Sequence, residues 1–167
     1  MLILGIDPGT ATTGYGFIEK TDDDTKVISW GLIETDKRSL KENRLEIIHQ
    51  ETLALISKHK PDLFVIEKVF FSSNVKTAIA VGQAQGVLLL AASTSKVKVA
   101  EYSPGTIKKM ITGNGRANKK EVQQAIRRIF GAKVKSKAHK KTHFDNAADA
   151  LAIALTHVLK EGEKLNV

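Results

Sequence analysis

Two short apolar runs, each ending in a carboxylate, constrain the fold of this chain more than any other feature. Residues 2–6 are followed by Asp7 and a Pro-Gly turn, and residues 63–66 are followed by Glu67. A short apolar run that turn residues bound is typical of a buried strand, and such strands are commonly parallel neighbours in a covered sheet. If the two strands are neighbours, both carboxylates lie at the sheet end where ligands bind in open α/β folds.

The remaining pattern predicts a meander followed by alternating strands and helices. Residues 14–19 and 26–35 read as strands that short polar turns connect to the first, which suits an antiparallel arrangement. Later elements are predicted at residues 40–59 (helix), 63–66 (strand), 76–92 (helix), 97–102 (strand), and 106–111, 118–130 and 144–160 (helices). We therefore expect an α/β fold, with a five-stranded mixed sheet that is first antiparallel and then parallel, flanked by helices. Residues 1–160 would form one domain and residues 161–167 a C-terminal tail.

The composition restricts the metals and compartments that suit this chain. It contains no cysteine, so a metal must be held by oxygen or imidazole, which favours Mg²⁺ or Mn²⁺. The N-terminus lacks the basic lead of a signal peptide, and the longest apolar stretch, residues 86–92, is too short to span a bilayer. We expect a cytoplasmic protein with no membrane partner.

Positive charge is concentrated in one part of the sequence. The net charge is +8, but residues 108–141 contain twelve Lys or Arg and one acid, Glu121, which leaves −3 for the remainder. A basic block on a neutral-to-acidic body indicates a surface that binds polyanions such as nucleic acid. The alternative is a solvated Lys-rich surface without a partner.

The last predicted helix adds further oxygen ligands. Asp145 and Asp149 are four residues apart and share a face with Asn146, while nearby small residues let this helix pack closely on the sheet. Asp145 has an alternative interpretation, since an acid in the first helical turn favours the helix dipole. Asp149 lies a turn further, in an Ala/Leu segment, where that explanation is weaker.

A cluster of buried carboxylates is unfavourable unless cations neutralise it. A pair of divalent metals about 4 Å apart can clamp the attacking and leaving oxygens of a phosphodiester. Together with the basic block, the cluster predicts metal-dependent phosphodiester hydrolysis.

Three motifs, in this order, resemble the RuvC family of Holliday-junction resolvases within the ribonuclease H-like superfamily. They are Gly5-Ile6-Asp7-Pro8-Gly9-Thr10, Val65-Ile66-Glu67-Lys68-Val69-Phe70 and Ala147-Ala148-Asp149-Ala150-Leu151-Ala152-Ile153-Ala154. The first motif alone also resembles the opening of actin-like ATPases and sugar kinases, whereas the ordered set is far more specific. The resemblance covers nearly the whole chain.

The resemblance implies a homodimeric, Mg²⁺-dependent endonuclease that cuts four-way DNA junctions in recombination and repair. It implies two Mg²⁺ per active site, with Mn²⁺ able to substitute, and a branch-migration helicase complex as a further partner. Asp7, Glu67 and Asp149 match the family's catalytic metal ligands. The family's fourth ligand position, usually an acid and sometimes His, is Asn146 in this chain.

Asn146 leaves alternatives open, because an amide oxygen can bind a metal but brings no negative charge and cannot act as a base. It is either a natural variant, with Asp145 or His143 compensating, or an engineered inactive form. The first alternative function is therefore a catalytically impaired junction-binding protein. The second is another ribonuclease H-like nuclease, which would share the carboxylates.

The resemblance also implies a DNA-binding role for two groups of residues. Phe70 and Phe71 match a loop that places an aromatic side chain at the junction centre, where it stacks on bases; core burial is the alternative. Lys108 and Lys119 match two lysines near the active site that neutralise the scissile phosphate, so Lys119 joins the catalytic set. Further DNA-backbone contacts are expected from Lys109, Arg116 and Lys120.

Gly82 and Gly86 lie on one face of the second predicted helix. This spacing allows close helix approach, either in the core, which is the favoured interpretation, or between two subunits.

Overall fold

The computed structural model describes residues 1–69, 75–131 and 141–164, without the side chains of residues 141–146, 163 and 164. Its elements are β1 (Leu2–Asp7), β2 (Thr12–Lys20), β3 (Thr25–Glu34), α1 (Lys41–His59), β4 (Leu63–Glu67), α2 (Val75–Thr94), β5 (Lys98–Tyr102), α3 (Pro104–Thr112), α4 (Lys119–Phe130) and α5 (Lys141–Lys164). All five predicted strands and all five predicted helices are present, with ends that differ by a few residues.

The sheet has the predicted mixed topology. Its five strands lie in the order β3-β2-β1-β4-β5. β1, β2 and β3 are antiparallel neighbours, whereas β4 and β5 continue the sheet in parallel with β1. Ile6 of β1 lies opposite Ile66 of β4, so Asp7 and Glu67, the next residue of each strand, lie at the same end of the sheet. The prediction that these two carboxylates emerge together at the sheet end is confirmed.

Helices cover both faces of the sheet because its central strands are apolar on both sides. Successive strand side chains point to opposite faces. One core cluster includes Leu4, Ile6, Phe17, Phe64 and Ile66, together with residues of α1 and α2. The other includes Ile3, Ile18 and Val65, together with residues of α3, α4 and α5.

Helix α5 approaches the sheet unusually closely, and glycines on two strands permit it. A Cβ atom at Gly5 would lie 2.7 Å from the backbone nitrogen of Ala154, and one at Gly16 would lie 2.6 Å from Cδ2 of Leu151. A side chain at Gly5 would collide with the helix backbone, and one at Gly16 would displace at least the Leu151 side chain. Small residues on both surfaces therefore set the height of α5, and with it the position of Asp149, above β1 and β2.

Local capping explains two of the helix starts. The Ser103 side chain accepts a hydrogen bond from the Thr106 backbone nitrogen, so α3 begins at Pro104, two residues earlier than predicted. The predicted cap of α4 is confirmed: Asn118 and Glu121 form a capping box, with hydrogen bonds of 2.7 and 3.1 Å.

The final helix is longer than predicted at both ends. It includes residues 141–143 and continues four residues beyond Lys160, into the segment expected to be a tail. Asp145 therefore lies outside the first turn of the helix, and the interpretation that it serves the helix dipole is wrong.

Helix α2 leaves its glycine face open. A Cβ atom at Gly82 or Gly86 would meet nothing within 4 Å among the described residues, so the favoured interpretation of core packing is wrong for both. By length and composition alone, α2 would also be able to cross a membrane. That criterion is equally met by core helices of soluble proteins, and α2 packs against α1 and the sheet.

Candidate active site

The structure brings the three predicted carboxylates to one cavity. Asp7 is the last residue of β1, Glu67 is the last residue of β4, and Asp149 comes from α5. All three line a cavity of about 180 Å³, together with Lys108 and Lys119. The cavity thus combines carboxylates from two strand ends and a helix with lysines from α3 and α4.

The turn that follows Asp7 is held in place by hydroxyl groups. Thr13 is fully buried and its Oγ1 donates a hydrogen bond of 2.7 Å to the Gly9 carbonyl oxygen. Oγ1 of Thr35 donates to the Thr10 carbonyl oxygen and accepts from Nε of Arg44 at 2.9 Å. These bonds explain how a Gly-containing turn keeps one conformation beside the carboxylate.

Glu67 is fixed by the neighbouring strand and helix. It lies opposite Tyr102 in the β4–β5 pairing, and the next residue, Lys68, donates its backbone N–H to the Tyr102 carbonyl oxygen at 2.9 Å. Nε2 of Gln85, on α2, donates to the Glu67 carbonyl oxygen at 3.4 Å. The backbone at Glu67 is therefore held while its side chain faces the cavity.

The carboxylates raise one another's proton affinity. The pKa of Asp7 is raised from 3.8 to about 7, first by burial and then by the negative charges of Asp149 and Glu67, while Lys119 opposes the increase. Burial and then Asp149 raise the pKa of Glu67 above its usual value, while Lys108 and Lys119 oppose the increase. The two lysines reduce the repulsion within the cluster without cancelling it.

Lys119 makes a close charged contact in the cavity. Its Nζ lies 2.6 Å from the Asp149 carboxylate, and its side chain is 57% exposed whereas that of Asp149 is 21% exposed. Lys119 is the first residue of α4, directly after the Asn118 cap. The capping box therefore fixes the backbone from which this lysine reaches Asp149.

The donor set fits Mg²⁺ in chemical type, since hard divalent cations bind carboxylate oxygens. A divalent ion would also relieve the repulsion that raises the pKa values of Asp7 and Glu67. Within the described residues, however, no group of three His, Asp or Glu side chains is arranged closely enough to hold one ion. The Asp149 carboxylate is instead paired with the Lys119 ammonium group, 2.6 Å away.

The remaining predicted residues have different outcomes. Lys109, Arg116 and Lys120 are exposed and do not line the cavity. Phe70 and Phe71 lie outside the described residues, as do the side chains of His143, Asp145 and Asn146. Sequence reasoning missed the rest of the cavity wall, which consists of Pro104, Ile107, Val122, Ala152 and Ile153. Pro104 had a local signal, as the first residue after the Ser103 cap, but the others were indistinguishable from ordinary core residues.

Comparisons with known proteins agree with this architecture. The family model "Crossover junction endodeoxyribonuclease RuvC" matches residues 3–157. Curated relatives of that name include one from Halothermothrix orenii, 43% identical over 94% of this chain and 92% of its own length. Another, from Caldicellulosiruptor saccharolyticus, is 42% identical over 99% of this chain and 96% of its own length.

Solved structures give the same result. RuvC of Thermus thermophilus is 31% identical, with a TM-score of 0.81 over 98% of this chain and 97% of that one. The same protein in complex with a Holliday junction substrate has a TM-score of 0.83 over 96% of this chain and 94% of that one. A yeast mitochondrial resolvase, 17% identical with a TM-score of 0.68 over 95% of this chain and 80% of that one, shares the fold. The chain belongs to the RuvC family of crossover junction endodeoxyribonucleases.

Proposed function

We propose that this chain resolves four-way DNA junctions by paired phosphodiester hydrolysis during recombination and repair. The observation that carries the proposal is the convergence of Asp7, Glu67 and Asp149 on one cavity flanked by Lys108 and Lys119. The full-length similarity to RuvC nucleases supports the same activity.

Family membership implies dependence on a divalent metal. We propose two Mg²⁺ per active site, with Mn²⁺ as a substitute, held by the three carboxylates and the amide oxygen of Asn146. When bound, the metals supply charge neutralisation and Lewis-acid polarisation of the phosphate and the attacking water. Cleavage would leave a 5′-phosphate and a 3′-hydroxyl that a ligase can join.

The chain's own residues orient and shield the reacting phosphate. Lys108 and Lys119 place two positive charges at the cavity wall, where they favour the charge that develops on the phosphate. Ile107, Val122 and Ile153 form an apolar part of the same wall. That surface excludes water and strengthens the electrostatic interactions nearby.

The exposed basic residues would bind DNA outside the cavity. Three exposed basic residues do not line the cavity: Lys109, Arg116 and Lys120. Their positive side chains can contact phosphates of the DNA backbone. Phe70 and Phe71 remain predicted to stack on bases at the junction centre.

A homodimer is the proposed functional unit, because paired cuts require two sites. On α2, the apolar side chains of Val75, Ile79 and Leu90 are 66%, 57% and 56% exposed, and Gly82 and Gly86 leave room for close approach. A two-fold pair through this surface would match the symmetry of a junction. A branch-migration helicase complex is the further proposed partner, and the cytoplasm, where bacterial DNA lies, is the proposed location.

Neither alternative function is favoured. A catalytically impaired junction-binding protein would rest on Asn146 alone, whereas the three other proposed ligands are present and converge. Another ribonuclease H-like nuclease is disfavoured because the chain matches RuvC relatives over nearly its whole length.

Cleavage of a synthetic four-way junction tests the proposal. The chain and its Asn146→Asp variant are compared over a Mg²⁺ titration, with Asp7→Asn as the inactive control and linear duplex as competitor. We expect symmetric nicks in the junction, faster cleavage by Asn146→Asp, and junction binding without cleavage by Asp7→Asn. Metal-independent cutting, or equal cutting of the linear duplex, would contradict the proposal.

A further inference from the structure

A hydrogen bond between two side chains connects β5 to α5, two helical turns from Asp149. The Tyr102 hydroxyl lies 2.8 Å from Nδ1 of His157, and Nε2 of His157 lies 3.6 Å from a carboxylate oxygen of Glu161. The His157 side chain is only 14% exposed, and the Tyr102 ring packs against the core cluster under α5. None of these three residues lines the active-site cavity, so the proposed chemistry does not use them.

Tyr102, the residue on the strand side of this contact, is coupled to Glu67. Tyr102 lies opposite Glu67 in the parallel pairing of β4 and β5. Its carbonyl oxygen accepts the N–H of Lys68, the residue that follows Glu67, at 2.9 Å. The backbone of Tyr102 thus holds the end of β4, while its side chain reaches across to α5.

His157, the residue on the helix side of this contact, is coupled to Asp149. His157 lies two turns beyond Asp149 on α5, a rise of about 12 Å. Ile153, midway between them, lines the cavity. Gly5 and Gly16 set the height of α5 above β1 and β2, whereas the Tyr102–His157 bond ties the same helix to β5, an edge strand of the sheet.

Either tautomer of His157 can make this hydrogen bond. The phenol donates its hydrogen to Nδ1 when the imidazole proton is on Nε2, and its oxygen accepts a hydrogen bond from Nδ1 when the proton is there. A hydrogen-bonding group at the Nδ1 position is therefore the essential requirement. An asparagine at position 157 would keep a polar amide near that place, whereas a leucine would keep only the volume.

We propose that Tyr102 and His157 are positioning residues, which tie α5 to the end of β5 and so hold Asp149 facing Glu67 and Asp7 across the cavity in which a divalent metal would bind. This inference rests on the proposed metal-dependent function of the cavity. The Glu161 carboxylate lies 3.6 Å from Nε2, on the far side of the imidazole.

The test measures metal binding without DNA or cleavage. Mn²⁺ binding is followed by titration calorimetry in the full chain and in Tyr102→Phe, His157→Leu and His157→Asn. Tyr102 and His157 would not bind the metal themselves but would position the helix that carries a ligand, so their loss should have a moderate effect. We expect Tyr102→Phe and His157→Leu to weaken Mn²⁺ binding about three- to tenfold. His157→Asn should bind Mn²⁺ about as tightly as the parent chain. Tyr15→Phe is the matched control, since Tyr15 packs in the other core cluster, on the opposite face of the sheet.

Two further measurements separate positioning from simple stability. Junction affinity should stay within about twofold in every variant, while the Mg²⁺ concentration for half-maximal cleavage rises in parallel with the Mn²⁺ dissociation constant. Thermal unfolding identifies any variant that folds poorly, and Tyr102→Phe, which removes a single oxygen atom, remains informative if His157→Leu does not fold.

The outcomes are distinct. Unchanged Mn²⁺ affinity in Tyr102→Phe and His157→Leu would overturn the inference, even if both unfold at lower temperature. A His157→Asn variant as weak as His157→Leu would overturn it as well. A parent chain that binds Mn²⁺ but cuts no junction would refute the proposed function, while the metal-binding comparison would still decide this inference.

Discussion

Replacing Asp7 by Asn should stabilise the metal-free protein at neutral and alkaline pH. In the folded chain, burial and the charges of Asp149 and Glu67 raise the pKa of Asp7 from 3.8 to about 7. A carboxyl group with a higher pKa in the folded state binds its proton more tightly there than in the unfolded chain. Its favourable contribution is therefore complete at low pH and is lost as the pH rises through the folded-state pKa.

The magnitude follows from the size of the shift. A change from 3.8 to about 7 spans about three pKa units. At about 1.4 kcal/mol per unit, Asp7 costs the fold about 4 kcal/mol near pH 8, where it is ionised in both states. Near pH 5 the cost is about 2 kcal/mol, because the folded form keeps a proton that the unfolded chain has largely lost. The Asn variant lacks this term, so its advantage over the parent chain should grow by about 2 kcal/mol between pH 5 and pH 8.

Urea unfolding in EDTA at pH 5, 6.5 and 8 measures both free energies. Asp36→Asn is the control, because Asp36 is an exposed carboxylate whose pKa is held below its usual value by Arg38. Asp36 is therefore ionised in both the folded and the unfolded chain from pH 5 to pH 8, and its replacement should give no pH-dependent difference in this range. An advantage of Asp7→Asn that does not increase with pH, or a variant that is less stable than the parent at pH 8, would refute the electrostatic reasoning.

Three other variants test neighbouring parts of the structure. Lys119→Gln should slow junction cleavage at least about tenfold with a smaller loss of affinity, and equal losses in rate and binding assays would reduce Lys119 to a general phosphate contact. Gly5→Ala should lower the unfolding free energy by about 1–3 kcal/mol or more, because its Cβ would lie 2.7 Å from the Ala154 nitrogen. Gly86→Ala is its matched control on an open helix surface, and it should be neutral or stabilising by up to about 1 kcal/mol in monomeric protein. Ile79→Glu should shift sedimentation from dimer to monomer, since Ile79 is 57% exposed on α2; an unchanged dimer would place the interface elsewhere.

The parts of the site that sequence reasoning found depend on local signals. Asp7 and Glu67 each follow an apolar strand, and the sequence indicated that both carboxylates would emerge together if the two strands were neighbours, a condition that the parallel pairing of β1 and β4 meets. Asp149 was recognisable because a carboxylate inside an Ala-rich helix has no ordinary surface role. In each case the pattern lies within a few residues of the functional group.

The parts that were missed depend on contacts between distant segments. The Lys119–Asp149 ion pair joins the start of α4 to α5, and no periodicity within either helix indicates it. The bond between Tyr102 and His157 spans 55 residues of sequence for the same reason. The error at Gly82 and Gly86 was similar, because a pair of small residues indicates that a close approach is allowed but not which surface makes it.

Close packing of α5 accounts for the electrostatic character of the site. Gly5 meets Ala154 across the helix–sheet interface, so α5 has no neighbouring position to which it could move without opening a gap in the core. Asp149 consequently cannot relax away from the strand ends, and the repulsion is expressed as a raised pKa of Asp7 rather than as a displacement. Lys119 differs, because its side chain is 57% exposed and can leave Asp149 at little cost. The rigid members of the cavity thus preserve an unfavourable arrangement of negative charge, which Lys119 and Lys108 reduce without cancelling.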